Sequence, residues 1–188
     1  MTTWWWVRHG PTHAKAMIGW TDLAADLSDT AALKRLSDYL PQAPIVSSTL
    51  TRAIATADAV QSSRPRLPHT AALREIHFGA WEARSFAEIE AETPAHIRTF
   101  WEQPGDIAPP GGESWNALTA RVSAFVDAHP PHANIIAVAH FGVILTQLQR
   151  ALSLTAYDTL SHQIDNLSVT KLTHSHGRWA CDSLNHIP

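Results

Sequence analysis

The chain has few of the features that mark secreted, membrane-spanning or nucleic-acid-binding proteins. Its single cysteine, Cys181, excludes an intrachain disulfide. The sequence contains no run of about twenty apolar residues to cross a membrane, and its first residues lack the basic and apolar segments of a signal peptide. The formal net charge is only −3, with the basic residues dispersed along the chain. We therefore expect a cytoplasmic protein with neither a nucleic-acid nor a membrane partner.

The composition is that of an ordinary globular enzyme. The 188 residues are 45% hydrophobic and 16% charged, and a chain of this length buries enough surface for one sizeable core. Apolar runs of strand length alternate with helical patterns, which is typical of α/β proteins. We therefore expect a single α/β domain over residues 1–188, in an oligomeric state that the sequence leaves open.

The periodicity and the turn residues predict the individual elements. Strands are expected at residues 4–7, 45–47, 67–70, 134–139, 166–173 and 178–182. Helices are expected at residues 31–39, from 48 or 49 to 60, and at 85–92, 94–102, 114–128 and 143–152. Pro and Gly residues predict a surface loop over 103–112. Because the span from Glu82 to His140 exceeds one crossover connection, residues 83–128 are predicted to form a helical cap.

The tripeptide Arg8-His9-Gly10 directly follows the apolar run Trp4-Trp5-Trp6-Val7. A strand that ends in this way carries a guanidinium, an imidazole and a flexible backbone to the carboxyl edge of a sheet. Ligands collect at that edge in open α/β folds. Taken alone, this pattern is more often a solvated strand end than a catalytic pair.

Three later segments also place a charged residue or a histidine at or near the end of a predicted element or motif. His140 follows the apolar run 135–138 and precedes Phe141 and Gly142, Arg52 lies at a junction between a strand and a helix, and Glu75 lies shortly before a Gly-Ala-Trp-Glu segment. In this order the motifs resemble those of the histidine phosphatase superfamily, the phosphoglycerate-mutase-like enzymes. The resemblance covers roughly residues 3 to 145, and it includes the family's Ser-x-x-x-x-Arg-Ala-x-x-Thr-Ala pattern at residues 47–57.

The resemblance implies a fold and a set of site residues. The implied fold is a three-layer α/β/α sandwich with a mostly parallel sheet and a small helical cap. His9 is then the residue that becomes phosphorylated, His140 stabilises the transferring phosphoryl group, and Glu75 is the general acid and base. Together with these three catalytic residues, we expect six residues to bind the substrate: Arg8, Arg52, Thr12, Lys15, Glu113 and Phe141. The backbone at Phe141 lies at a helix start, where N–H groups bind anions.

Two charged residues of this set keep two interpretations each. Lys15 occupies the position of a family Asn that contacts phosphate, so it either reaches the anionic substrate or is a solvated side chain. Glu113 lies either at the lip of the site or at a helix start, where the macrodipole favours an acid. A rival acid, Glu82, is expected to anchor a loop.

Other conspicuous features are expected to be structural. The three consecutive tryptophans favour core packing over ligand stacking. His174 and His176 have metal-ligand spacing, but no third ligand supports zinc, and Gly177 favours a tight turn there. We therefore expect no metal and no cofactor.

These observations predict a phosphatase that hydrolyses a small phosphorylated metabolite through a phosphohistidine on His9, without a metal. Two Arg side chains are suited to neutralise the phosphate charge. Within the superfamily, the chain is most similar to the α-ribazole phosphatase-like branch. The alternatives are a phosphoglycerate mutase-type phosphoryl transfer and a catalytically silent protein that binds a phosphorylated ligand.

Overall fold

The computed structural model describes residues 1–129 and 133–188. Five strands form one sheet in the order β2-β3-β1-β4-β5. Their bounds are Thr2–Arg8 (β1), Ile45–Ser47 (β2), Asn134–Ala139 (β3), Val169–Ser175 (β4) and Arg178–His186 (β5). β1, β2 and β3 are mutually parallel, whereas β4 runs antiparallel to both β1 and β5.

Seven α-helices accompany this sheet in the described part of the chain. Their bounds are Thr30–Tyr39 (α1), Thr51–Val60 (α2), Phe86–Glu92 (α3), Pro94–Glu102 (α4), Trp115–Ala128 (α5), Phe141–Leu152 (α6) and Ala156–Leu160 (α7). Short 3₁₀ turns at Ala71–Leu73 and Gly79–Trp81 lie between α2 and α3.

The core lies in two layers, one on each face of the sheet. Because side chains alternate along a strand, β1 contributes Trp4 and Trp6 to one layer and Val7 to the other. The first layer packs against buried residues of α5 and α6, and the second against buried residues of α1 and α2. The expected three-layer α/β/α architecture is confirmed, and Trp4 and Trp6 serve as core residues whose rings stack 5.3 Å apart.

Several boundaries differ from the sequence-based prediction. Residues 67–70 form no regular strand. The segment 66–70 runs along the β2 edge through two isolated bridges, Ile45 to Arg66 and Ser48 to Thr70, and through backbone hydrogen bonds from Leu67 and Thr70 to that edge. Helix α7 was not predicted, although Thr155 caps it by accepting from the Asp158 N–H. Helix α2 begins at Thr51, later than expected, because Asp22 from a distant loop accepts hydrogen bonds from both the N–H and the hydroxyl of that residue.

The region expected as a cap divides into two parts. Helix α4 carries Trp101, which lines a cleft at the carboxyl edge of the sheet. Helix α5 instead packs beside α6, with Leu118 and Val122 fully buried in the core. The part of the predicted cap that reaches the cleft is therefore α4.

Among the described residues, none of the helices has the length and apolar character needed to span a membrane.

Candidate active site

The site forms where two parallel strands end side by side. Arg8, the last residue of β1, is in register with Ala139, the last residue of β3. The next residue of each chain segment is a histidine, so His9 and His140 become neighbours, with ring centroids 5.0 Å apart. Both side chains are buried, with exposures of 6% and 0%.

Hydrogen bonds fix the position and the tautomer of His9. Its Nδ1 lies 2.6 Å from the carbonyl oxygen of Gly10. A carbonyl only accepts, so Nδ1 carries the proton and Nε2 keeps its lone pair. The adjoining backbone is held by Thr56, whose hydroxyl accepts from the Gly10 N–H at 2.9 Å, and by Asn166, whose amide donates to the His9 carbonyl at 2.8 Å.

Burial keeps both imidazoles neutral. It lowers the pKa of His9 to about 3, an effect that the nearby guanidiniums of Arg52 and Arg8 reinforce although Gly10 opposes it. Burial, together with His9 and the same guanidiniums, also holds the pKa of His140 well below its usual range. Neither ring nitrogen of His140 has a hydrogen-bond partner among the described residues, although both atoms are buried.

The two arginines supply fixed positive charge beside the histidines. Arg52 is 1% exposed, and its guanidinium donates to the carbonyls of Thr21 and Gly19 at 2.9 and 2.6 Å. Arg8 donates to the carbonyl of Ile164 at 2.5 Å, while its Nε has no partner among the described residues. Burial lowers the pKa of both groups, but arginine keeps its charge in proteins at neutral pH.

Glu75 is the buried carboxyl of the site. It accepts from the N–H groups of Ile76 at 2.9 Å and of Gly142, near the start of α6, at 3.1 Å. Burial nevertheless raises the pKa of Glu75, against the opposing effect of those hydrogen bonds and of the two guanidiniums. A raised pKa is what a carboxyl requires to hold a proton near neutral pH.

These side chains meet in a cleft of about 270 Å³. Its lining includes most of the expected site residues, namely Arg8, His9, Thr12, Arg52, Glu75 and Phe141. The ring of Phe141 lies 5.4 Å from the guanidinium of Arg8. Lys15, Glu113 and His140 are not among the residues that line the cleft, although Ala14 and Ala16 are. The ring of His140 lies beside that of His9, which does line it.

The carboxylates of Glu113 and Glu82 are both engaged in hydrogen bonds with other residues of the protein. Glu113 forms a bidentate ion pair with Arg121, with distances of 2.8 and 2.7 Å, and accepts from the His77 N–H. Glu82 accepts from backbone N–H groups of Gly19, Trp20, Thr21 and Phe78. Those bonds organise the loop whose carbonyls receive Arg52, so Glu82 anchors that loop, as the sequence interpretation expected.

Sequence reasoning missed three residues of the site. Asn166 supports the His9 backbone, Trp101 forms part of the cleft wall, and Arg121 donates to backbone carbonyls of the segment that carries Glu75. Each is remote from the motifs along the chain. No local pattern distinguishes such residues, because their partners are set by the fold.

Within residues 1–129 and 133–188, no group of three or more His, Cys, Asp or Glu side chains is arranged to hold a metal ion. His174 instead stacks on Trp179, with ring centroids 4.8 Å apart, and His176 contacts Ser175. Both residues lie beside the β4–β5 turn, where Gly177 has a φ of +74°.

Comparison with known families agrees with this arrangement. The model of the histidine phosphatase superfamily (branch 1) matches residues 4–187. The chain therefore belongs to the histidine phosphatase superfamily, as its motifs predicted.

Two of the three similar proteins described next are phosphatases by name. The adenosylcobalamin/α-ribazole phosphatase of Salmonella typhimurium is 32% identical over 165 residues, which cover 81% of this chain and 80% of that protein. The structure of YhfR from Bacillus stearothermophilus has a TM-score of 0.87 at 26% identity and covers 100% and 98% of the two chains. A mycobacterial glucosyl-3-phosphoglycerate phosphatase has a TM-score of 0.81 at 29% identity, with 99% of each chain covered.

Proposed function

We propose that this protein hydrolyses small phosphate monoesters through a covalent phosphohistidine on His9. The observation that carries the proposal is a neutral imidazole with a free Nε2 lone pair, held beside the buried guanidinium of Arg52, the half-buried guanidinium of Arg8 and a carboxyl of raised pKa. The Salmonella relative makes α-ribazole phosphate a first substrate to assay.

In the first step, Arg8 and Arg52 bind the phosphoryl oxygens and neutralise their charge, which would otherwise repel a nucleophile. His9 Nε2 attacks phosphorus, and the bond from phosphorus to the ester oxygen breaks. Glu75 gives its proton to that oxygen, so the product leaves as an alcohol. A ring N–H of His140 and the N–H groups at the start of α6 stabilise the charge on the transferring group.

In the second step, water attacks the phosphorus of phospho-His9. The Glu75 carboxylate takes a proton from the water as the new P–O bond forms and the P–N bond breaks. His9 returns to its neutral state, inorganic phosphate is released and Glu75 is protonated again. The same carboxyl thus acts as acid and then as base, and its burial favours the acid role because it raises the pKa of Glu75.

The surroundings of the cleft favour hydrolysis over phosphoryl transfer. A mutase retains a doubly phosphorylated species, which calls for a basic enclosure. The two arginines of the α3–α4 region are engaged with acids at the surface, Arg84 with Glu92 and Arg98 with Glu90, each at 2.6 Å. Such a wall offers little attraction to a polyanion.

The nucleophile assignment predicts a trappable phosphoenzyme. Acid quenching destroys a P–N bond, so brief turnover with labelled substrate and an alkaline quench should leave alkali-stable, acid-labile label on the wild type. His9→Ala should carry none and release no phosphate. His186→Ala, which changes an exposed histidine on β5, is the matched control and should label normally.

Full phosphatase activity in His9→Ala would exclude His9 as the nucleophile. If the wild type releases no phosphate from any of a broad panel of monoesters, the protein is a silent ligand-binding member of the family.

The preference for hydrolysis predicts the product formed from 3-phosphoglycerate. We expect any turnover to release inorganic phosphate without forming 2-phosphoglycerate, because water reaches phospho-His9. Phosphorus NMR of the reaction mixture distinguishes the two products. Isomerisation faster than phosphate release, stimulated by 2,3-bisphosphoglycerate, would establish the mutase alternative with the same site residues.

A further inference from the structure

A second, apolar cavity adjoins the catalytic cleft. It has a volume of about 60 Å³, and we call it the side slot. Four residues line both spaces: Glu75, Phe78, Trp101 and Phe141. Six more line the slot and not the cleft: Ile76, Phe100, Pro104, Trp115, Gly142 and Leu160.

The chemistry of the slot is distinct from that of the cleft. Among the described residues that line it, Glu75 has the only ionisable side chain. The indole N–H of Trp115 donates to Gln149 at 2.7 Å, so its polar atom is engaged with α6. A hydroxyl placed among the remaining aromatic and aliphatic side chains would lose its hydrogen bonds to water without replacement, which is costly.

The position of Glu75 at the boundary indicates which part of a substrate enters the slot. The general acid must contact the ester oxygen. Arg8, His9 and Arg52 line the cleft and hold the phosphoryl group in the proposed reaction. The carbon skeleton attached to that oxygen therefore begins beside Glu75, where the slot opens.

We propose that the side slot binds the alcohol part of the substrate, and that this part is an apolar aryl or branched alkyl group. The inference rests on the proposed function for the position of the ester oxygen. A cavity of roughly 150 Å³ is known to hold benzene, so the smaller slot takes the edge of a ring whose remainder lies against Trp101 and Phe141 in the cleft. Alcohols that would place hydroxyl or charged groups inside the slot are disfavoured.

The test compares two non-hydrolysable ligands that differ only in the alcohol part. The first is 2-phenylethylphosphonate, which is isosteric with benzyl phosphate, and the second is 3,4-dihydroxybutylphosphonate, which is isosteric with glycerol 1-phosphate. By calorimetry, the phenyl compound should bind the wild type at least about tenfold more tightly, since every tenfold corresponds to about 1.4 kcal/mol. The two parent esters, both of which leave as primary alcohols, should show the same preference in kcat/KM.

Variants at Leu160 locate the preference in the slot. Leu160→Phe adds bulk to a half-buried slot residue and should lower the affinity ratio of the two phosphonates at least about fivefold. The matched control is Leu152→Phe, at an exposed leucine on α6 that lines neither space, and it should leave the ratio unchanged. If Leu160→Phe does not fold, Leu160→Asn places an amide in the slot without adding volume and should lower the ratio in the same direction.

The outcomes separate the two proposals. Equal affinities for the two phosphonates, or a preference that survives the change at Leu160, would overturn the side slot as a binding site even if both esters are hydrolysed. If the wild type prefers the phenyl phosphonate, the Leu160 variants lose this preference and benzyl phosphate is not hydrolysed, the slot is supported and the hydrolase proposal is contradicted.

Discussion

The chemistry of single residues in this protein depends on their surroundings. A free histidine is partly protonated near neutral pH, yet His9 is neutral there because burial and two guanidiniums lower its pKa to about 3. Glu75 accepts hydrogen bonds from the backbone N–H groups of Ile76 and Gly142, yet its pKa is raised because burial outweighs those contacts. Burial therefore favours a deprotonated His9, the proposed nucleophile, and a protonated Glu75, the proposed acid.

Gly142 provides a residue-scale test of the position of Glu75. A Cβ at Gly142 would lie 2.5 Å from Glu75 Oε1, so Gly142→Ala must displace the carboxyl, although Ala is otherwise favoured in a helix. We expect kcat for an alkyl phosphate to fall about tenfold to a hundredfold, because proton donation to the alcohol is lost. 4-Nitrophenyl phosphate should be affected much less, since its leaving group needs no proton.

The matched control is Gly105→Ala, whose added Cβ would meet no atom closer than 3.9 Å. It should retain the wild-type rates with both substrates. An equal loss of rate for both substrates in Gly142→Ala would contradict the displacement of a proton donor and would indicate general disorder of the cleft.

At the scale of elements, Arg121 connects α5 to the irregular segment that carries Glu75. Its guanidinium pairs with Glu113 and donates to the carbonyls of Ala72 and Arg74 at 2.9 and 3.0 Å. Because residues 74–78 belong to no helix or strand, these contacts replace the hydrogen bonds of a regular element. Glu113 is thereby a structural partner in this structure, whatever contact it makes with a substrate.

We therefore expect Arg121→Gln to lower the free energy of unfolding by about 2 kcal/mol or more, because Glu113 and several carbonyls lose their partner. Urea unfolding measures this loss. Arg98→Gln removes the exposed pair with Glu90 and should cost less than about 1 kcal/mol. Equal effects of the two substitutions would show that Arg121 does not brace the Glu75 segment.

At the scale of the whole molecule, burying neutral histidines makes stability depend on pH. The unfolded chain binds a proton on each histidine below a pKa of about 6.5, whereas folded His9 resists protonation down to about 3. Lowering the pH from 8 to 5 therefore favours the unfolded state, by about 2 kcal/mol for His9 alone. His140 acts in the same direction.

Urea unfolding at pH 8 and pH 5 tests this effect. His9→Ala should lose about 2 kcal/mol less stability than the wild type between these two pH values. His186→Ala, at an exposed position, should keep the wild-type difference. If His9→Ala lost as much free energy of unfolding as the wild type between pH 8 and pH 5, His9 would not be held neutral in the folded protein.

The sequence alone determined the order of the elements and the chemistry at the strand ends. Periodicity and turn residues are local signals, so the helices at 31–39 and 94–102 and the strands at 45–47 and 134–139 were predictable to within a residue or two. Arg8, His9 and His140 became candidate site residues because they follow apolar runs and match the family's motifs, and parallel strands bring their carboxyl ends together.

Only the tertiary structure decided what depends on contacts between distant parts of the chain. The start of α2 depends on the hydrogen bond to Asp22, and the position of Glu113 depends on its ion pair with Arg121. The side slot depends on residues from four helices, α4, α5, α6 and α7. Burial sets the protonation of His9 and Glu75 in the same way. Desolvation and long-range hydrogen bonds arise when the layers pack, so no local pattern of residues encodes them.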